Sequence, residues 1–247
     1  MDDERIVLAH GGGGVLTREL IEQLIVPAFG GPARGLPDAA PVPGAPDYAL
    51  TTDAFVVKPL FFRGGDIGSL SVHGTVNDLA VSGAEPLALA LSLIIEEGLD
   101  IAVLRRVIES AAAAARACGV AIATGDTKVV AKGEADALFI TTTGIGRRRL
   151  ETDPGRLCEG DCILLSGPIA DHGIAVMSER EGIHFETSVR SDSAPVWPFV
   201  RALLDAGLEP HAMRDPTRGG LAACCVELAD DASLTVELDE AAVPVRP

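Results

Sequence analysis

Leu16, Leu20 and Leu24, with Ile21 and Ile25 beside them, recur at helical spacing and predict an amphipathic helix. A short IVLA strand at 6–9 precedes it, and between the two lie His10 and four glycines. The stretch from Pro27 to Pro46 is rich in Gly and Pro, has little periodicity, and reads as an exposed loop. Tyr48 to Val57 alternates as a strand does, and 61–66 (FFRGGD) is a loop whose Asp66 can cap a helix over about 67–82. Pro86 to Ile95 is continuously apolar and predicts a buried strand. Asp100 is suited to cap the next helix, with Leu104, Ile108, Ala111 and Ala115 inward and Gly119 as its stop. Strands are expected at 120–124 and 137–146. The charged, turn-rich stretch 147–160 then changes the texture of the chain. Beyond it the pattern predicts a strand at 162–167, helices over 172–181, 196–206 and 218–229, and a strand at 233–239.

Several neighbouring strands lack a helix between them, which fits an α/β or α+β architecture with a mixed sheet better than a doubly wound parallel one. The expected division is a first domain over 1–152 and a second over 153–247.

Charge narrows the function classes. The 247 residues carry 20 Lys plus Arg against 36 Asp plus Glu, a net charge of −16, which repels nucleic-acid backbones and anionic lipid. No apolar run approaches the ~20 residues of a membrane span, and the acidic start MDDERIVLAH lacks the features of a signal peptide, so a cytoplasmic location is expected. Cys118, Cys158, Cys162, Cys224 and Cys225 form no CxxC pair and read as buried small hydrophobes. His10 adjoins the glycine run and His172 begins a helix, while His73, His184 and His211 lack metal-type spacing; none of the five is expected to bind a metal.

Two features can carry chemistry. Gly11, Gly12, Gly13 and Gly14 lie between a strand and a helix, where bare backbone N–H groups can approach a phosphate. The run is neither a Walker A loop, because Val15-Leu16-Thr17 follows it, nor a dinucleotide fingerprint, because Leu16 stands at the third glycine. The second feature is a set of acids in short motifs: Thr51-Thr52-Asp53, Asn77-Asp78, Gly125-Asp126-Thr127-Lys128 and Arg214-Asp215-Pro216. Taken singly, each is as readily a turn former or a solvated residue. Taken together, carboxylates from separate elements suit Mg²⁺, which prefers oxygen ligands and bridges to phosphates. Lys128 can reach a phosphate or a polarised oxygen, and Arg214 and Arg218 can clamp a phosphate, although each of these, like Lys58, can equally be one half of a surface ion pair.

These motifs occur together in one family. With AHGGGG (9–14), TTDAFVVKPLFFRGGDIGSL (51–70), HGTVNDLAVSGAEP (73–86), GDTKVV (125–130), DHGIAVMSEREG (171–182) and MRDPTRGGLA (213–222), the chain resembles the ATP-dependent superfamily of aminoimidazole ribonucleotide synthetase, selenophosphate synthetase and thiamine-monophosphate kinase. Within it, the chain is most similar to the HypE family of hydrogenase maturation factors. The resemblance implies a PurM-like N-terminal domain that forms a homodimer through its sheet, followed by an incomplete C-terminal α/β domain. It implies ATP and Mg²⁺ as cofactors, with Asp53, Asp78, Asp126 and Asp215 as metal–phosphate carboxylates. Gly11, Gly12, Gly13, Asn77 and Thr127 would join them around the nucleotide, and Lys128 and Asp78 would act in catalysis.

The implied reaction is dehydration of a cysteine-bound carboxamide to a thiocyanate. The implied partners are a carbamoyltransferase, HypF, and a HypC–HypD scaffold. The family ends in a Pro-Arg-Ile-Cys-like tail, whereas this chain ends Val243-Pro244-Val245-Arg246-Pro247. The resemblance therefore implies that the acceptor cysteine is not among the five present. The alternatives are a selenophosphate synthetase, although the glycine segment here has no Cys; a thiamine-monophosphate kinase, although PLFFRGGDIG does not fit it; or a non-catalytic dimerising nucleotide-binding module.

Overall fold

The computed structural model describes residues 5–30, 37–180 and 189–245. Part of the expected 27–46 loop, the last expected residue of the 172–181 helix and His184 lie outside these residues.

The expected strand at 6–9 is not formed. A 3-10 turn, Leu8–Gly11, takes its place, with the His10 ring bonded back to Val7. A short apolar run is not enough to make a strand where no neighbour offers a ladder. The first helix forms as expected: α1 (Val15–Leu20) runs through a π-helical turn, Ile21–Ile25, into α2 (Val26–Ala28). Strands β1 (Ala40–Val42) and β2 (Ala45–Phe55) follow, then the short β3 (Phe61–Phe62) and β4 (Gly65–Asp66).

Asp66 caps α3 (Ile67–Val81) as its sequence position predicts, accepting from the Gly68 and Ser69 N–H groups. Its other oxygen accepts from Ser110 at 2.6 Å. Next come β5 (Ala84–Glu96) and α4 (Ile101–Cys118), which is capped by Asp100 and stopped by Gly119 at φ 71°. The buried face of α4 carries Val107, Ala111, Ala114 and Ala115; Ile108, expected inward, is 38% exposed. Ala111 and Ala115 face inward as expected and Leu104 packs against the core, so Ile108 alone of the four departs, with Val107 buried beside it.

β6 (Ala121–Val130) and β7 (Leu138–Arg148) complete one mixed sheet of order β1-β2-β7-β5-β6, with only the β5–β6 pair parallel. This bears out the α/β mixed-sheet expectation. β5, α4 and β6 form a crossover unit, which a parallel pair requires. β6 runs past the expected 120–124, so Asp126, Thr127 and Lys128 lie within a strand rather than after it. Pairing to β5 extends it, from Ala88–Ala121 to Glu96–Val130 with a one-residue shift after Leu89.

The helices α3 and α4 cover one face of the sheet. Val72, Val76, Leu89, Ala111 and Ala115 form a core there, and Phe55, Ile67, Leu93, Val107, Leu138 and Ile140 form a second. The other face is open. Its rows are Leu50–Ile145–Ala88, Thr52–Thr143–Ala90 and Ala54–Thr141–Ser92–Asp126 across the strands.

Beyond the sheet, α5 (Asp171–Arg180), α6 (Trp197–Asp205) and α7 (Gly220–Ala232) form near their expected positions. Trp197 and Val200 of α6 are buried in the first of the two cores. The strands expected at 162–167 and 233–239 are not formed. Their apolar residues are left exposed, Ile163 at 79% and Leu164 at 76%, because no strand among the described residues pairs with them. Cys158 and Cys162 are exposed and Cys118, Cys224 and Cys225 half-buried, so the cysteines are not the fully buried set the sequence suggests.

Candidate functional site

Asp53 sits on β2, in register with Thr142, on the face covered by α3. Gly74 of α3 passes over this end of β2, where a Cβ would strike the Phe55 ring at 2.8 Å and only touch the Asp53 carboxylate at 3.6 Å. Asp78 follows one turn along α3 and accepts from the Thr51 hydroxyl at 3.0 Å. That same hydroxyl lies 2.7 Å from the Asp38 carbonyl. Arg214 donates to Asp38 at 2.6 Å and also pairs with Glu227 of α7 at 3.0 Å, which draws the Arg214–Asp215 segment against the sheet. Arg218 lies 3.5 Å from Asp53. Three of the four expected carboxylates, Asp53, Asp78 and Asp215, thus meet at one place, and Asp38 joins them. A cleft of ≈ 140 Å³ lies against this group, lined by Asp38, Arg214, Asp215, Arg218 and Cys224 among others.

Asp38 was not foreseen. It lies in the Gly/Pro-rich stretch that reads as a loop, where no periodicity marks one acid above another. Only its docking through Thr51 and Arg214 brings it to the site.

Crowding these acids has an electrostatic cost. Burial, followed by the nearby Asp215 charge, pushes the Asp78 carboxyl up to about 8. Burial and the Asp38 charge push Asp215 up to about 7. Asp53 is raised as well, chiefly by burial, with Arg218 pulling the other way. Carboxyls held this close favour either a proton or a cation between them. Hard carboxylate oxygens from separate elements are the donors Mg²⁺ takes, and Asp53, Asp78 and Asp215 would hold it. No three of these acids bring their ligand atoms within 4.8 Å of one another, so the ion would have to draw them closer.

The glycine run meets the same place. Gly13, at φ 77°, donates to the Thr17 hydroxyl at 2.9 Å, and a Cβ on it would fall 2.6 Å from the Arg218 backbone. Gly219 abuts the Gly13 carbonyl in the same way. The run is therefore packed on the N-terminus of α7, whose free N–H groups favour an anion. Gly11 has open space where a side chain would go, and Gly12 donates to the Ala9 carbonyl.

The remaining expected residues stand apart. Both ends of the Asn77 amide are engaged with the backbone ahead of α6, donating to Ala194 at 3.0 Å and accepting from Val196 at 2.9 Å. In this structure Asn77 anchors α6 rather than facing the acids. Asp126 pairs with Lys128 at 2.7 Å, and this holds its carboxyl below the usual range. Asp126 shares a row with Ser92, Thr141 and Ala54, on the open face of the sheet, and β6 is three strands from β2, roughly 14 Å away. Asp126, Thr127 and Lys128 therefore do not meet the other acids within one chain. Lys58 pairs with Asp136 at the surface.

Comparison with known proteins places this geometry. Residues 37–148 match the AIR synthase related protein N-terminal domain, and 159–247 match the corresponding C-terminal domain. The carbamoyl dehydratase HypE of Cupriavidus necator is 48% identical over 248 residues, spanning 98% of this chain and 71% of the relative. The chain belongs to the HypE family.

Among HypE structures, that of a HypE–HypF complex superposes with a TM-score of 0.87 at 43% identity, covering 92% of this chain and 75% of that one. A HypE structure in complex with ATP gives 0.79 at 44% identity, covering 98% and 73%. Likeness at this level favours HypE over the selenophosphate synthetase and thiamine-monophosphate kinase alternatives.

Proposed function

We propose that this chain is the catalytic part of an ATP- and Mg²⁺-dependent carbamoyl dehydratase, which turns a cysteine-bound carboxamide into a thiocyanate that supplies cyanide to a NiFe-hydrogenase. The observation that carries this reading is the meeting of Asp53, Asp78 and Asp215 beside the glycine run and the start of α7. ATP would supply the phosphoryl group that makes the amide oxygen a good leaving group, with the metal offsetting charge in the transfer. The chain's own residues do the rest. The acids hold the cation, the α7 N-terminus, with Gly13 packed against it, receives the phosphates, and Arg218 offsets charge beside Asp53.

The small cleft suits the phosphate–metal end of a nucleotide, and the adenosine would lie along the glycine segment outside it. Residues 1–152 would be the nucleotide and dimerisation domain and 153–247 the domain that supplies Asp215. A cytoplasmic location, a HypF-type carbamoyltransferase as donor and a HypC–HypD scaffold as recipient belong to the same reading.

We further read the open sheet face as a homodimer surface. It carries Leu50, Ile94 and Ile145, each at least 36% exposed, in neighbouring strands. Asp126 and Lys128 stand at its edge on β6. They would take part, Lys128 as a catalytic contact to phosphate or amide oxygen, only where a second copy brings its own pair to the nucleotide.

Calorimetric titration of Mg–ATP into the chain and into Asp78→Asn tests the site. The variant should lose affinity at least about tenfold; equal affinity would sink the assignment. An S-carbamoyl cysteine peptide supplied in trans should then yield phosphate and thiocyanate only with ATP present.

A further inference from the structure

Away from the acid cluster, a second group of side chains comes together where the segment after β7 meets the segment before Arg214. Cys158 and Asp161 close a tight turn, in which the Asp161 N–H donates to the Cys158 carbonyl at 3.2 Å and the Cys158 N–H donates to Asp161 Oδ2 at 3.0 Å. Gly160, at φ 95°, permits the turn. The thiol Sγ lies 3.6 Å from Asp161 Oδ1, and His211 Nδ1 lies 2.9 Å from Asp161 Oδ2. One donor atom from each of the three residues falls within 4.8 Å of the others, and among the described residues no other group of His, Cys, Asp and Glu does so.

We propose that Cys158, Asp161 and His211 form a binding site for a zinc-class transition-metal ion, separate from the Mg²⁺ site. The donor set decides the class. A thiolate with an imidazole nitrogen and a carboxylate oxygen suits Zn²⁺ and not Mg²⁺, which takes oxygen alone. Bonds of about 2.0–2.3 Å to a tetrahedral ion set the donors about 3.5 Å apart. The three donor atoms here lie within 4.8 Å of one another, so an ion would draw them in by about an ångström. Cys158 and Asp161 are exposed and His211 half-buried, so an ion can enter from solvent, and water can complete the fourth position. Binding releases the thiol proton to solvent and leaves the thiolate on the metal.

The position gives the ion a structural consequence. The Asp153 N–H donates to the His211 carbonyl at 3.0 Å, and Arg156 lies 3.8 Å from Glu209, so the two segments already touch. An ion would tie them through side chains as well, and His211 stands shortly before Arg214 and Asp215.

The test uses the reduced, metal-free chain, titrated with Zn²⁺ against a chromophoric chelator and with Co²⁺ by visible and near-ultraviolet absorption. One saturable equivalent is expected, with a thiolate-to-cobalt band. C158S and H211A should each weaken binding more than about tenfold. D78N, which disables only the proposed Mg²⁺ site, should bind as the parent does. Bound Zn²⁺ should also slow alkylation of Cys158 in the unaltered chain, mapped by mass spectrometry, which needs no variant to fold. Absence of a saturable equivalent, unprotected Cys158, or undiminished binding in both C158S and H211A would overturn the proposal.

Discussion

Asp78 and Asp215 carry the chief tension of this structure at the level of single residues. Their carboxyls are raised from 3.8 to about 8 and about 7, so the folded chain holds protons that the unfolded chain has released. In that case folding stability falls as pH rises through the window from about 4 to about 8. Thermal melts of the metal-free chain should therefore decline across this range. Adding Mg²⁺ should restore stability mostly at the upper end, where the carboxylates are free to bind it. Asp78→Asn should flatten the pH dependence and stabilise the metal-free chain at pH 8; a melt that stays level with pH in the parent would refute the argument. Of these residues, Asp53, Asp78 and Asp215 were legible from their motifs. Asp38 was not, because a lone acid in an aperiodic stretch carries no signal until a tertiary partner selects it.

The elements were most legible where local chemistry announces itself. The starts of α3 and α4 follow from Asp66 and Asp100 as caps, and the end of α4 from Gly119. Asp66→Ala should cost about 1–2 kcal/mol, since it removes both the cap bonds and the acceptor for Ser110. Gly68 is a position of another kind: a Cβ there would strike the Val107 carbonyl of α4. Gly68→Ala should destabilise the fold through overpacking, by about 1–3 kcal/mol, without changing Mg–ATP affinity per folded molecule. Both are measurable by denaturant titration. The misjudged elements, 6–9, 162–167 and 233–239, share one cause. Their short apolar runs, or alternation in 233–239, suit a strand, but a strand also needs a neighbour, and pairing is not a local property. The opposite error at β6 has the same origin, since its pairing to β5 extends it through Asp126 and Lys128.

For the molecule as a whole, the sheet divides the expected site. Asp53, Asp78 and Asp215 lie on the side covered by α3, and Asp126 with Lys128 on the open side. A dimer through the open face predicts that Leu50→Asp combined with Ile94→Lys gives monomers in sedimentation, with the fold kept and dehydration lost. Mixing Asp78→Asn with Asp126→Asn chains should then recover activity that neither has alone, because one mixed site would hold intact groups from both copies. Recovery of nothing would leave Asp126 outside the site. By itself the sequence determined what is written in local chemistry and spacing: capped helices, apolar strands, the acid motifs and their family. Only the tertiary structure decided which acids meet, that Asp38 joins them, that Asn77 anchors α6, and that Cys158 and Asp161 face His211. The reason is that side-chain convergence depends on strand register and on packing between distant segments, and neither leaves a periodic trace in the chain.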